Sequence, residues 1–227
     1  LSAMKAHESN AGVAESGCGA LVNLALNADN QVTLMKAGAG EVVLSAMKTH
    51  QSHAGVAYQG CGALRTLALN ADNQVTLVKA GAGEVVLSTM KTHISNAGVV
   101  EKGCGALWTL AVNAENQVAL MKAGADEVVL SAMKRHTLNA GIAWRGCGAL
   151  WTFARNNADN QVTLMKAGAG EVVLSAMKAH ESAIDTIERA NDMRALGRCG
   201  VRLRGVAEPC IKVAWRCCAL LSMRTTK

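Results

Sequence analysis

Four cysteines recur at fixed spacing and five histidines at nearly the same spacing, and they are the side chains of this chain best suited to chemistry. Cys18, Cys61, Cys104 and Cys147 stand 43 residues apart, each inside the pentapeptide Gly-Cys-Gly-Ala-Leu. His7, His50, His93, His136 and His180 form a second column. A metal site or a nucleophile–base pair needs such groups to converge within a few ångströms. Equivalent positions on stacked helices instead lie roughly 8–10 Å apart, and a disulfide needs Cα atoms within roughly 7 Å. The cysteines are therefore expected to pack as small buried apolar residues. The histidines are expected to close helices, where the ring meets the negative end of the helix dipole.

Two further patterns fail on context. Gly38-Ala-Gly-Glu-Val-Val opens like a dinucleotide fingerprint, yet it lacks the third glycine, follows a helical pattern and returns with the repeat. Cys199, Cys210, Cys217 and Cys218 lack the CxxC pairing of a zinc site. No Ser/His/Asp or Cys/His constellation stands apart from the repeats, so no catalytic residue, cofactor or metal is expected.

The elements that hold these columns repeat with them. The segment Asn27 to Lys48 returns nearly unchanged from Asn70, Asn113 and Asn157. Such a period marks a stacked solenoid, in which no unit buries its apolar face alone. Each unit reads as three helices. Asp29 to Ala37 is the first, with Val32, Leu34 and Met35 as its apolar residues, ending at the Gly38-Ala-Gly40 corner. Glu41 to His50 is the second, with Val42, Val43, Ala46 and Met47 at helical spacing. The third runs from about Ala54 to Leu69, and Asn70 can cap the next helix.

A short helix, a glycine corner and two antiparallel helices in about 42 residues resemble the armadillo repeat. Asn-Gln-Val-Thr-Leu-Met-Lys-Ala-Gly-Ala-Gly followed by Ala-Leu-x-x-Leu-Ala is similar to the signature of that family, over residues 1–182. The resemblance implies an all-α, right-handed superhelical solenoid of ARM/HEAT-type units, with extended peptides or partner helices bound along a groove lined by the third helices. HEAT repeats, with two helices per unit, fit the separate first helix less well. Peptide-binding members of the family carry Trp and Asn four residues apart on the third helix. Here the Trp position is Gly19, Gly62, Gly105 and Gly148, and the Asn position is Asn23, then Thr66, Thr109 and Thr152. Only Asn23 keeps that pattern.

Positions that differ among units mark candidate contacts. Glu15, Tyr58, Glu101 and Trp144 form one column, Val22, Arg65, Trp108 and Trp151 a second seven residues on, and Ser16, Gln59, Lys102 and Arg145 a third. Residues at i and i+7 share a helix face. Aromatic and arginine side chains dominate binding hot spots, so Tyr58, Arg65, Lys102, Trp108, Trp144, Arg145 and Trp151, with Asn23, are the expected partner-binding residues. The glycines between the columns either flatten a groove floor for a ligand or pack closely against the next unit.

The 227-residue chain has half its residues apolar, yet Lys, Asn, Asp and Glu interrupt the apolar runs short of the ~20 residues of a membrane-spanning helix. Residues 1–182 carry 14 Lys/Arg against 13 Asp/Glu, and 183–227 carry 9 against 4. The repeats thus lack the basic stripe of a nucleic-acid solenoid. The cysteine usage and the absence of an Asn-x-Ser/Thr site point to the cytoplasm or nucleus. Leu1 to His7 matches Leu44 to His50, so the chain is expected to begin inside a repeat, as a fragment of a longer array. Residues 183–227 read as a divergent basic segment. Pro209 to Met223 is either a degenerate capping helix, a disordered tail or the product of a shifted reading frame. The expected function is a protein-interaction scaffold, not an enzyme. The alternatives are a substrate-recruiting fragment of a larger enzyme, and nucleic-acid or acidic-surface association through the tail.

Overall fold

A computed structural model describes residues 1–181. Thirteen helices and no strand occur among the described residues. The chain enters through α1 (Ser2–Ala6) and α2 (Ala11–Leu24), a second and a third helix of a unit. Three-helix units follow: α3 (Ala28–Lys36), α4 (Ala39–Thr49) and α5 (Ala54–Leu67), then α6 (Ala71–Lys79), α7 (Ala82–Thr92) and α8 (Ala97–Leu110). The last are α9 (Ala114–Lys122), α10 (Ala125–Arg135) and α11 (Ala140–Ala154), then α12 (Ala158–Lys166) and α13 (Ala169–Ala179).

Every helix after α1 starts on a local signal. Asn27 Oδ1 accepts hydrogen bonds from the backbone N–H groups of Asp29 and Asn30 at 2.9 and 3.2 Å, and Asn70, Asn113 and Asn157 cap their helices likewise. Gly38, Gly81, Gly124 and Gly168 turn the chain into the second helices at φ between 81° and 89°, the left-handed region glycine enters without steric cost. Gly40 is not part of that corner. It lies inside α4, and a Cβ there would stand 2.9 Å from Leu77 of the next unit, so this glycine admits a neighbour's side chain. The third helices also end two residues earlier than the apolar pattern suggests. Leu26, Leu69 and Val112 are exposed instead of helical core.

The Asn-Gln pair of the repeated signature does more than start a helix. Asn73 Nδ2 donates to Leu67 O at 2.9 Å and Gln74 Nε2 to Ala68 O at 3.0 Å, which satisfies carbonyls left open at the end of α5. Asn30, Asn116 and Asn160 repeat the first bond. The buried side chains of the short first helices are therefore largely these amides, where Val32, Leu34 and Met35 were the expected apolar face; Val32 is exposed.

The histidine column ends the second helices as expected, and it has a further task. His50, His93 and His136 stand at helix ends, and their Nε2 atoms lie 2.9, 2.9 and 2.7 Å from the carbonyl oxygens of Glu8, Gln51 and Ile94. An imidazole N–H facing a carbonyl is the donor. Each ring thus ties its second helix to the loop of the preceding unit, 42 residues back, and so fixes the stacking of units. Among the described residues one irregular step comes at Asn156, whose φ of 57° absorbs an extra residue after α11.

One continuous core runs from Met4 to Val173. The four repeat cysteines lie buried in it, none of them in a disulfide. Burial pushes the thiols of Cys18, Cys61 and Cys104 up to about 12. A group held protonated that far above neutral pH is a poor nucleophile and behaves as an apolar filler.

Candidate partner-binding face of the third helices

The parallel stack of α2, α5, α8 and α11 carries the variable columns, and two of them sit on glycines of the following unit. The offset is 40 residues. Glu15 lies over Gly55, Tyr58 over Gly98 and Glu101 over Gly141. In the second column Val22 lies over Gly62, Arg65 over Gly105 and Trp108 over Gly148. A Cβ at Gly148 would stand 2.6–2.8 Å from the Trp108 ring carbons. The mid-helix glycines therefore make room for the preceding unit's variable side chain; close packing accounts for them, and the reading of a bare groove floor does not.

These seats gather most of the expected residues into one patch. Lys102 Nζ lies 4.8 Å from the centroid of the Tyr58 ring, and Tyr58 itself is exposed. Trp108 meets Trp144 edge to face, with centroids 5.8 Å apart and rings at 82°. The pairing crosses units, whereas the sequence suggested that Trp144 belongs with Trp151 on its own helix. Arg145 stacks on Trp144 at 5.4 Å, and its Nη2 donates to Glu101 Oε1 at 3.0 Å. Trp151 is half-buried, with the Arg155 guanidinium 5.8 Å from its ring. Asn23 stands exposed on the last turn of α2, outside this patch. Trp108 and Trp151 also pack against the core, so variation among units does not make them purely surface residues.

The sequence reading missed Glu101 and Arg155 as members of the patch. Glu101 was visible only as a variable position, and its ion pair depends on Arg145 coming from the next unit. Arg155 lay in the irregular step after α11. The threonines at the Asn-ladder position turn inward: Thr66 Oγ1 donates to Gly62 O at 3.2 Å, Thr109 to Gly105 O at 3.0 Å and Thr152 to Gly148 O at 2.8 Å. They offer their hydroxyl protons to their own helices, which removes the family's asparagine mechanism from these three units.

Electrostatically the patch is cationic. The pKa of Arg65 is lowered from its ordinary value, first by burial and then by the charge of Arg145, with Glu101 opposing. Among the described residues no helix is long and apolar enough to cross a membrane. Among them no three His, Cys, Asp or Glu side chains come together as a metal site would require.

Comparison with known proteins adds two findings. A family model described as the LRRK2 ARM repeat matches residues 1–190. A crystal structure of an engineered protein superposes with a TM-score of 0.71 at 18% identity, covering 98% of this chain and 94% of that one, which is a likeness of fold. No curated protein matches.

Proposed function

The chain belongs to the armadillo-repeat family, through its match to the LRRK2 ARM repeat, and from that premise we propose that it binds a partner protein along the third-helix face. The bound element is a peptide or helix laid across α5, α8 and α11. One observation carries this reading. The only tyrosine and three of the four tryptophans, Tyr58, Trp108, Trp144 and Trp151, lie on that face, and Tyr58, Trp144 and Trp151 each carry a lysine or arginine over the ring. Aromatic rings with stacked cations give large contact area at little cost in ordering. The array of residues 1–182 is the binding module and residues 183–227 a separate segment, and a role in the cytoplasm or nucleus agrees with the buried thiols.

Affinity capture with the intact chain tests the reading. Tyr58→Ala and Lys102→Ala should each weaken capture of the partner by about 1–2 kcal/mol. Thermal melting should change little, because Tyr58 is exposed. Lys36, Lys79 and Lys122 stand exposed on first helices, and their substitution should leave capture intact. Capture that survives both Tyr58→Ala and Lys102→Ala would place the contact surface elsewhere.

A further inference from the structure

Within the patch, one seat differs in chemistry from its equivalents. Val22 fills the seat over Gly62 and Trp108 the seat over Gly148, but Gly105 lies between two arginines. Arg65 reaches it from the preceding unit and Arg145 from the following one. Arg65 Cδ and Arg145 Nη1 each stand 3.2 Å from the point a Cβ on Gly105 would occupy, so no more than twice that distance separates them. The local charges do not balance. Glu101 takes the Nη2 of Arg145 at 3.0 Å, whereas Arg65 makes no hydrogen bond or ion pair among the described residues. Arg145 Nε and Trp144 Nε1 are buried without a hydrogen-bond partner. Donors exceed acceptors at the centre of the face, and Arg65 is half-buried beside a like charge.

We infer that the pair of Arg65 and Arg145, seated over Gly105, receives a carboxylate, and that the partner segment crossing this face is acidic. The inference rests on the third-helix face being the docking surface. A guanidinium presents a planar fork matched to a carboxylate, and the missing Cβ at Gly105 lets the two arginine side chains draw close enough over it for one carboxylate to bridge them. A bound carboxylate relieves the repulsion between Arg65 and Arg145 and supplies the acceptor Arg65 lacks. Charge along the face has the same sense. Lys102 and Arg155 flank the pair on their aromatic rings, while the array as a whole is balanced at 14 basic against 13 acidic side chains over residues 1–182. The cationic excess is therefore local to this face. Glu15 lies at its far end, near His53 Nδ1 at 3.9 Å.

Fluorescence anisotropy on the full chain tests the inference, with a short glutamate-rich peptide as probe and its glutamine counterpart as control. The glutamate peptide should bind roughly tenfold or more tightly than the glutamine peptide, and Arg65→Gln should weaken it by about the same factor. Arg65→Glu should weaken it further, and Arg65→Lys less than Arg65→Gln. Melting of the Arg65→Gln chain should match the unsubstituted protein, since that guanidinium holds no internal bond. The basic tail is the competing anion site, so a chain with Arg202, Arg204 and Arg216 changed to Gln should keep most of its affinity. Equal binding of the two peptides overturns the inference. So does affinity that ignores Arg65→Glu, or that vanishes with the tail substitutions alone. A glutamine peptide that binds as well as the glutamate one, and loses affinity on Tyr58→Ala, would leave the docking face standing while removing its preference for acid.

Discussion

Two glycine ladders run along the third helices, two residues apart, and they are filled in opposite ways. Gly60, Gly103 and Gly146 admit Met47, Met90 and Met133 from the second helix of their own unit. Gly62, Gly105 and Gly148 admit Val22, Arg65 and Trp108 from the third helix of the unit before. The methionines never change and are at most 3% exposed, whereas the fillers of the second ladder change at every step and stay partly exposed. The same device, a helix without a Cβ, serves cohesion inside the unit and variation between units. A filler enclosed by identical surroundings has to be identical. A filler at the rim of a seat can change its outer atoms at no cost to the core.

The sharpest way to break this comparison is to fill the glycines. Gly148→Ala would press a methyl group into the stiff indole of Trp108 and should cost about 1–3 kcal/mol in urea unfolding. Gly146→Ala would stand 2.6 Å from Met133 Cγ and Sδ. Methionine has three rotors and adapts, so that loss should be the smaller of the two. Equal losses would mean that the ladders do not differ in the way their fillers yield.

The cysteines measure the cohesive side. Cys104→Ala should cost on the order of 1 kcal/mol, as a small buried side chain shrinks. The folded state holds the protons of Cys18, Cys61 and Cys104 up to about 12, above the ordinary thiol value of 9.0. Their contribution is therefore complete below about pH 9 and is lost as pH rises toward the folded value. Urea midpoints should fall as pH rises above about 9, and less steeply in Cys104→Ala. A midpoint independent of pH there would show that the thiols are not held in the core.

The smallest effects should be gains. A Cβ at Gly19 would meet Gln59 at an ordinary 3.5 Å, so Gly19→Ala should stabilise by roughly 0.5–1 kcal/mol through helix propensity alone. His53 caps α5 through Nδ1 at 3.3 Å where Asn10, Asn96 and Asn139 cap the other third helices. His53→Asn should add about 0.5 kcal/mol, read as a rise in melting temperature. A loss at Gly19 would put that position with Gly148 and erase the gradient along the ladder.

The three-helix unit, its caps, its glycine corner and the buried cysteine column follow from the order of residues, because each depends on residues within a few turns of one another. The family was legible for the same reason, and so were the columns that vary. The tertiary structure alone decided what those columns touch. The 40-residue offset from Arg65 to Gly105 and from Trp108 to Gly148 was present in the chain as spacing, but spacing does not say which helix faces which. The histidine ties to the carbonyls of Glu8, Gln51 and Ile94, the edge-to-face pair of Trp108 and Trp144, and the two arginines at Gly105 all join separate units. Residues 183–227, where a capping helix was one expectation, lie outside the described residues. Contacts within a unit follow from helical periodicity, while contacts between units follow from the rotation and rise of one unit on the next, and only packing in three dimensions sets those.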